Sequence, residues 1–206
     1  FKAVSEAGGD MAKVDASAFP VLNMLNTRYF IFPLQGGKTM PIQNPYTLGN
    51  AWFVDKVQYV NNANEEIESL HKVMPAKVAV VDKKFAEQVK PVAVSDSLRF
   101  VKLVAYEPND LKYEVSSEKG GVVVFSEIYY PGWQAYIDGV EAPHGRADYI
   151  LRAMNVPAGK HTVEFKFDPK SLHTTETIAF VALGLLAMAV LLLVVLQGKA
   201  LWGKKG

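Results

Sequence analysis

Residues 178–196 read IAFVALGLLAMAVLLLVVL, nineteen positions without a charge and with a single glycine. As a helix this stretch is about 28 Å long, close to the ~30 Å hydrocarbon core of a bilayer. A core helix of a globular protein keeps a polar stripe, and this segment has none. It predicts one transmembrane helix, so the rest of the chain must sit on one side of it or the other. Lys199, Lys204 and Lys205 follow the span, whereas Lys166 and Lys170 precede it. That bias predicts a cytoplasmic C-terminus and a body outside the cytoplasm, with Trp202 at headgroup level. The alternative orientation is a tail-anchored protein with a cytoplasmic body.

Residues 1–177 carry 19 basic and 21 acidic side chains. A body so near neutrality has no electrostatic footprint for nucleic acid, and that partner class is excluded. The chain has no cysteine. Disulfides, thiol catalysis, thiolate zinc sites and iron–sulfur clusters are thereby excluded. It opens at Phe1 without an initiator Met or a signal-peptide pattern, and is expected to be a fragment or processed product of a longer chain.

Hydrophobic patterning predicts a mainly β fold with a small α/β N-terminal part. Residues 1–95 form that mixed segment: a loop over the first twenty residues, a helical turn from Pro20, a strand at 29–32, a long loop over 35–50, and one strand at 52–60. A helix follows with Asn64 as N-cap, then a strand at 77–81 and a short helix capped by Asp82. Over 96–170 alternation takes over. Leu111, Tyr113 and Val115 form one face; residues 122–130 are apolar on both; Val163, Phe165 and Phe167 form another. Asp138-Gly139 is a type I′ hairpin signal. Strands at about ten-residue spacing predict an antiparallel, jelly-roll-like β-sandwich. A neck at 171–177, the span at 178–197 and a basic cytoplasmic tail at 198–206 complete the layout.

Chemical motifs are sparse. Gly36-Gly37-Lys38-Thr39 brushes the phosphate-loop pattern, but Phe32 stands where its first glycine belongs and prolines at 33 and 41 exclude the following helix. It reads as a turn. His71, His144, His161 and His173 show no metal-ligand spacing, and no G-x-S-x-G elbow is present. No metal, cofactor or catalytic residue is assigned. Glu127 interrupts an apolar strand and is expected to pair with Arg99, Arg146 or Arg152. The densest feature is residues 129–139, YYPGWQAYIDG. Aromatic faces beside a carboxylate and an amide suit a pyranose ring, which makes Tyr130, Tyr136, Asp138 and Arg146 candidate glycan contacts. The competing reading has Pro131-Gly132 bending the chain while the aromatics fill the core. Period-2 alternation sends Trp133 inward and Tyr136 outward.

Several runs together carry a resemblance: VLNMLNTRY at 21–29, LGNAWFV at 48–54 with Asn44-Pro45 before it, the 129–139 stretch, RADYILRA at 146–153 and VPAGKH at 156–161. In this order they resemble the C-terminal end of the YfhO-like family of bacterial multi-pass membrane proteins, over most of 19–197. The resemblance implies a polytopic relative of GT-C glycosyltransferases, enzymes that move a sugar from a polyprenyl-phosphate donor to an acceptor outside the cytoplasm. It implies that the catalytic acid lies in an early loop outside this sequence. The chain is then expected to be an extracytoplasmic accessory domain plus last transmembrane helix in the bacterial inner membrane. Its partners would be the lipid bilayer and, through the preceding helices, a polyprenyl-phosphate sugar and an envelope glycan. The alternative is a non-catalytic, membrane-tethered carbohydrate- or protein-binding or structural module.

Overall fold

The computed structural model describes residues 2–92 and 98–202, leaving out the side chains of 35, 170 and 197–202. The boundary expected at 95, the ring of Trp202 and most of the basic tail fall outside the described residues. The chain divides into two compact units, Phe1–Phe167 and Asp168–Gly206.

The first unit is mainly β, as its patterning predicts. One sheet has five antiparallel strands in the order β10 (Val140–Ala142), β9 (Trp133–Ile137), β13 (Gly159–Phe167), β7 (Asp110–Ser117) and β6 (Phe100–Glu107). The other has four, in the order β11 (Gly145–Ala147), β12 (Leu151–Val156), β8 (Gly121–Ile128) and β3 (Ala51–Val54). Their facing side chains form a dry core of Phe53, Tyr113, Phe125, Met154 and Phe165, with Val163 beside them. Phe125 and Phe165 meet edge-on at 4.8 Å between ring centroids, and Tyr113 closes the group at 4.9 Å from Phe125. Full burial of each such side chain stabilises the fold by roughly 1.5–3 kcal/mol.

The four-stranded sheet is covered on its second face as well. Val122, Val124, Leu151 and Ala153 pack there against Val57, Leu70 and Val80. Val57 and Val80 belong to a parallel pair, β4 (Lys56–Val60) and β5 (Val78–Asp82), joined by the helix Ala63–Ser69, which Leu70 caps at its C-terminus. This third layer is the α/β part expected from sequence, and burial on two faces is why β8 is apolar at successive positions.

Other expectations are corrected. The single strand read at 52–60 is two strands, because the amides of Asp55 and Lys56 both donate to the Lys77 carbonyl and turn the chain from one sheet into another. The helix is capped by Asn62, not Asn64: the Asn62 side chain accepts from the Glu65 amide, and Glu65 reaches back to the Asn61 amide at 2.9 Å. The loop expected at 35–50 contains β2 (Thr39–Gln43), which pairs with β1 (Tyr29–Pro33) across a turn where Gly36 and Gly37 take φ 75° and 73°. Positive φ at both sites explains the glycines without any phosphate. The first twenty residues are not a loop either. They hold α1 (Lys2–Glu6) and two 3-10 turns capped by Asp10 and Asp15, ahead of α2 (Pro20–Met24). Val4, Met11 and Val14 pack there on Phe30 of β1. Elements this short leave no periodicity to read. With these two helices counted, Ala63–Ser69 is α3.

The second unit is α4 (Lys170–Trp202), whose stretch Ser171–Leu196 is apolar and long enough to cross a membrane. The neck expected at 171–177 is helical. Thr175 and Thr177 donate their hydroxyls to the carbonyls of Ser171 and His173, four residues back, so these polar groups are satisfied within the helix.

Candidate functional site

The 129–139 run starts where β8 ends and turns through Pro131-Gly132 into β9, with Gly132 at φ 103°. Trp133, Ala135 and Ile137 point to the inter-sheet core, as alternation requires. Trp133 is half-buried; the Arg152 guanidinium lies 4.0 Å from its ring centroid, and Phe167 is 5.4 Å away. Tyr136 is also half-buried rather than fully outward. Its hydroxyl donates to Gln134 Oε1 at 2.6 Å, and Lys166 Nζ is 5.7 Å from its ring.

Asp138 closes the hairpin. With Asp138 at φ 51° and Gly139 at 81° the turn is of the primed kind. The Asp138 carboxylate takes the Thr162 amide at 2.8 Å and His161 Nδ1 at 2.7 Å. The His161 bond, then the amide, hold its pKa below the usual carboxylate range, while the same contact raises that of His161. Tyr130 stands 60 % exposed at the other end of β9, its ring 6.3 Å from that of Phe167.

Arg146 belongs to the other sheet, on edge strand β11. Its guanidinium donates to Glu66 at 2.6 Å and lies 3.9 Å from Asp82. Glu66 is fully buried in α3 and also accepts the Tyr149 amide at 2.9 Å. Burial pushes the Glu66 carboxyl up, against the pull of that amide and of Arg146. The four candidate contacts are therefore not brought together. Tyr130 lies at one end of β9, Tyr136 in its middle, Asp138 at the opposite turn, and Arg146 on a different sheet.

Two polar clusters take their place. Beside Glu66 and Arg146, Asp148 is fully buried at φ 50°, with one carboxylate oxygen accepting the Val80 amide at 2.8 Å and the other without a partner among the described residues. Burial raises its pKa to about 7. The second cluster lies where the inter-sheet core opens near Trp133. Arg152, 2 % exposed, donates through Nε to the Ile128 carbonyl at 3.0 Å, while one terminal nitrogen has no partner among the described residues. Burial pushes the Glu127 carboxyl up and the charge of Arg152 opposes that shift, whereas Arg99 pairs with Asp55 and Arg146 with Glu66. His144 packs between Tyr129 and Phe165, and burial lowers its pKa to about 4. Sequence reasoning missed Glu66 and Asp148. Glu66 reads as an ordinary first-turn acid, and Asp148 lies inside a run noticed only for its resemblance. Among the described residues no group of three His, Asp or Glu is placed to hold a metal.

Glu66 is engaged by Arg146 inside the body, while at the surface Asp138 is engaged by His161 and Glu164 by Lys112 at 2.9 Å. Tyr130 is exposed at the turn into β9, whereas Trp133 faces the core. Residues 86–179, from before β6 into α4, match the family described as bacterial membrane protein YfhO. The match is shorter than the 19–197 stretch that carries the resemblance and covers less than half of the chain. No curated protein and no solved structure matches the chain.

Proposed function

We propose that this chain, whose residues 86–179 match the family described as bacterial membrane protein YfhO, is the extracytoplasmic accessory domain and last transmembrane helix of a multi-pass glycosyltransferase. The transfer uses a polyprenyl-phosphate sugar and acts on a cell-envelope glycan. The body is non-catalytic and positions the acceptor, while membrane helices of the longer chain supply the chemistry. One observation carries the reading: the family match covers strands β6 to β13 and extends to residue 179, inside the helix that is long and apolar enough to cross a membrane. The engagement of Glu66, Asp138 and Glu164 with internal partners supports a positioning role for the body over proton transfer to a substrate.

The test is the complete reading frame in proteoliposomes, supplied with a polyprenyl-phosphate sugar and envelope glycan. Release of polyprenyl phosphate that depends on the glycan is the expected result. Glycan binding by this chain without donor turnover by the longer form would overturn the reading in favour of a tethered binding module. Sidedness has its own test. The chain lacks cysteine, so Lys119→Cys offers one thiol at an exposed turn. An impermeant maleimide is expected to label it in intact spheroplasts. Labelling only after permeabilisation would put the body in the cytoplasm.

A further inference from the structure

A cleft of about 420 Å³ opens between the turn that follows α2 and the segment leading from β2 into β3. Its size falls within the ~300–1,000 Å³ typical of small-ligand sites. Asn26, Arg28, Tyr29, Gln43 and Thr47 line it. Tyr29 of β1 is the Cα partner of Gln43 of β2, so the cleft begins at the open end of that hairpin. Unlike the four contacts expected around β9, these side chains share one opening.

The two walls are pinned to each other from behind. The Asn44 backbone amide donates to the Arg28 carbonyl at 2.8 Å, and the Leu48 amide to the Asn23 carbonyl at 3.1 Å. The buried Asn44 side chain donates to Asn23 Oδ1 and to the Thr27 carbonyl, both at 2.9 Å, and accepts the Tyr46 amide at 3.1 Å. The walls are thus set before a ligand arrives, which lowers the ordering cost of binding. By contrast, the side chains of Asn26, Arg28, Gln43 and Thr47 have no hydrogen-bond or ion-pair partner among the described residues. Arg28 is the one charged residue of the lining, and residues 16–54 contain no acid. Its guanidinium is a planar fork that matches the two oxygens of a carboxylate. Tyr29 is 59 % exposed and offers a ring to the C–H face of a pyranose. The amides of Asn26 and Gln43 and the hydroxyl of Thr47 both donate and accept, as sugar hydroxyls require.

We propose that this cleft binds a pyranose carrying a carboxylate, a uronic acid unit. Arg28 takes the carboxylate, Tyr29 lies against the ring, and Asn26, Gln43 and Thr47 bond the hydroxyls. A single guanidinium balances the single charge of a carboxylate, which favours a uronate over a sugar phosphate. In assigning this unit to the envelope glycan, the proposal rests on the acceptor-positioning role given above; the chemistry of the cleft stands without it.

The test titrates the full chain, in detergent micelles at about 0.15 M salt, with methyl glucuronide, methyl glucoside, glucose 6-phosphate and acetate, followed by ligand-observed NMR. Methyl glucuronide is expected to bind about tenfold or more tightly than methyl glucoside, the ratio supplied by one charge-assisted contact. Arg28→Gln should abolish that preference while its thermal melt matches the parent, since Arg28 is exposed. Tyr29→Ala should weaken both sugars by about threefold or more. Lys38, the other cation of residues 16–54, sits at the far turn of the same hairpin, and Lys38→Gln should leave binding unchanged. Equal affinity for glucuronide and glucoside, or for glucuronide and acetate, overturns the proposal, as does tighter binding of glucose 6-phosphate. So does a loss at Lys38→Gln equal to that at Arg28→Gln, which would mean diffuse charge in place of a site. Donor turnover by the longer form without glucuronide binding overturns the cleft assignment alone. Glucuronide binding without donor turnover overturns the glycosyltransferase reading and leaves the cleft as assigned.

Discussion

Arg146 and Arg152 are Cα partners across β11 and β12, yet their guanidiniums end in different surroundings. Arg146 meets carboxylates: Glu66 at 2.6 Å and Asp82 at 3.9 Å, with Asp148 buried close to Glu66. Arg152 meets rings, lying 4.0 Å from the Trp133 centroid and 5.1 Å from that of Phe165, with the charge of Glu127 near enough to act on it and one nitrogen unpartnered among the described residues. The first cluster ties α3 and β5 to the sheet edge by short, charge-assisted bonds. The second relies on packing and a half-buried carboxyl that can shed its charge. A buried cation held by anions is costly to remove, because it leaves those anions stranded; one held by ring faces leaves mostly a space to fill.

The widest gap is expected from Arg146→Met. It leaves Glu66, fully buried, without its cation, while Asp82 keeps Lys84 at 3.4 Å. Breaking a buried pair from one side costs about 3–5 kcal/mol, measurable as a lower urea midpoint for the body in detergent-solubilised chain. A loss below about 1 kcal/mol would place Arg146 among ordinary surface pairs and end the contrast.

Asp148 sharpens the same side. Its folded pKa of about 7 lies above the ordinary value of 3.8, so between these limits the folded state holds more protons than the unfolded one. Its contribution is present below pH 4 and is lost as pH rises through 7. His144 acts in the opposite sense: with a folded pKa of about 4, its contribution grows as pH rises from 4 to 6.5. The two partly cancel in the parent profile, so the difference from Asp148→Asn is the informative curve. Asparagine tolerates the positive φ and carries no charge. The variant is expected to gain up to about 4 kcal/mol on the parent between pH 4 and 8. A flat difference would mean that Asp148 is ionised at no cost.

How much of this was legible in the sequence follows from the range of the interactions. Strands β7, β9 and β13 were readable because alternation is local and each has one face on the core. The hairpin at Asp138-Gly139 was readable because only certain residues take positive φ at two successive positions. The helix cap was misassigned among three asparagines, although the Asn62-x-x-Glu65 spacing singles out the right one. The clusters around Arg146 and Arg152 were not readable. Glu66 and Arg146 are eighty positions apart, and nothing in either neighbourhood marks the pair. The four candidate glycan contacts failed to converge for a related reason: adjacency along β9 spreads residues over its length, and Arg146 belongs to another sheet.

Trp133→Ala tests the aromatic side. The ring is half-buried, but it carries Arg152 on its face and packs against Phe167. Truncation is expected to cost about 3 kcal/mol in a thermal or urea melt. A melt matching the parent would show the ring to be a surface platform, as a glycan-stacking residue would be.

The smallest effect is expected where the contrast is most direct, at Arg152→Met. Methionine fills much of the same volume and offers a polarisable chain to the Trp133 and Phe165 rings. It loses the Nε bond to the Ile128 carbonyl, at 3.0 Å, but removes the unpartnered terminal nitrogen. Glu127 then lacks its cation, and its carboxyl, already pushed up by burial, rises further. The balance is a loss of about 1–2 kcal/mol near neutral pH. The loss should shrink toward pH 5, since a carboxyl with a raised folded pKa gives up stability only as pH climbs through that value. Urea midpoints of parent and variant at pH 5 and pH 8 measure both quantities. A loss as large as that of Arg146→Met, unchanged by pH, would show that Arg152 is held by charge after all and that the two arginines differ only in position.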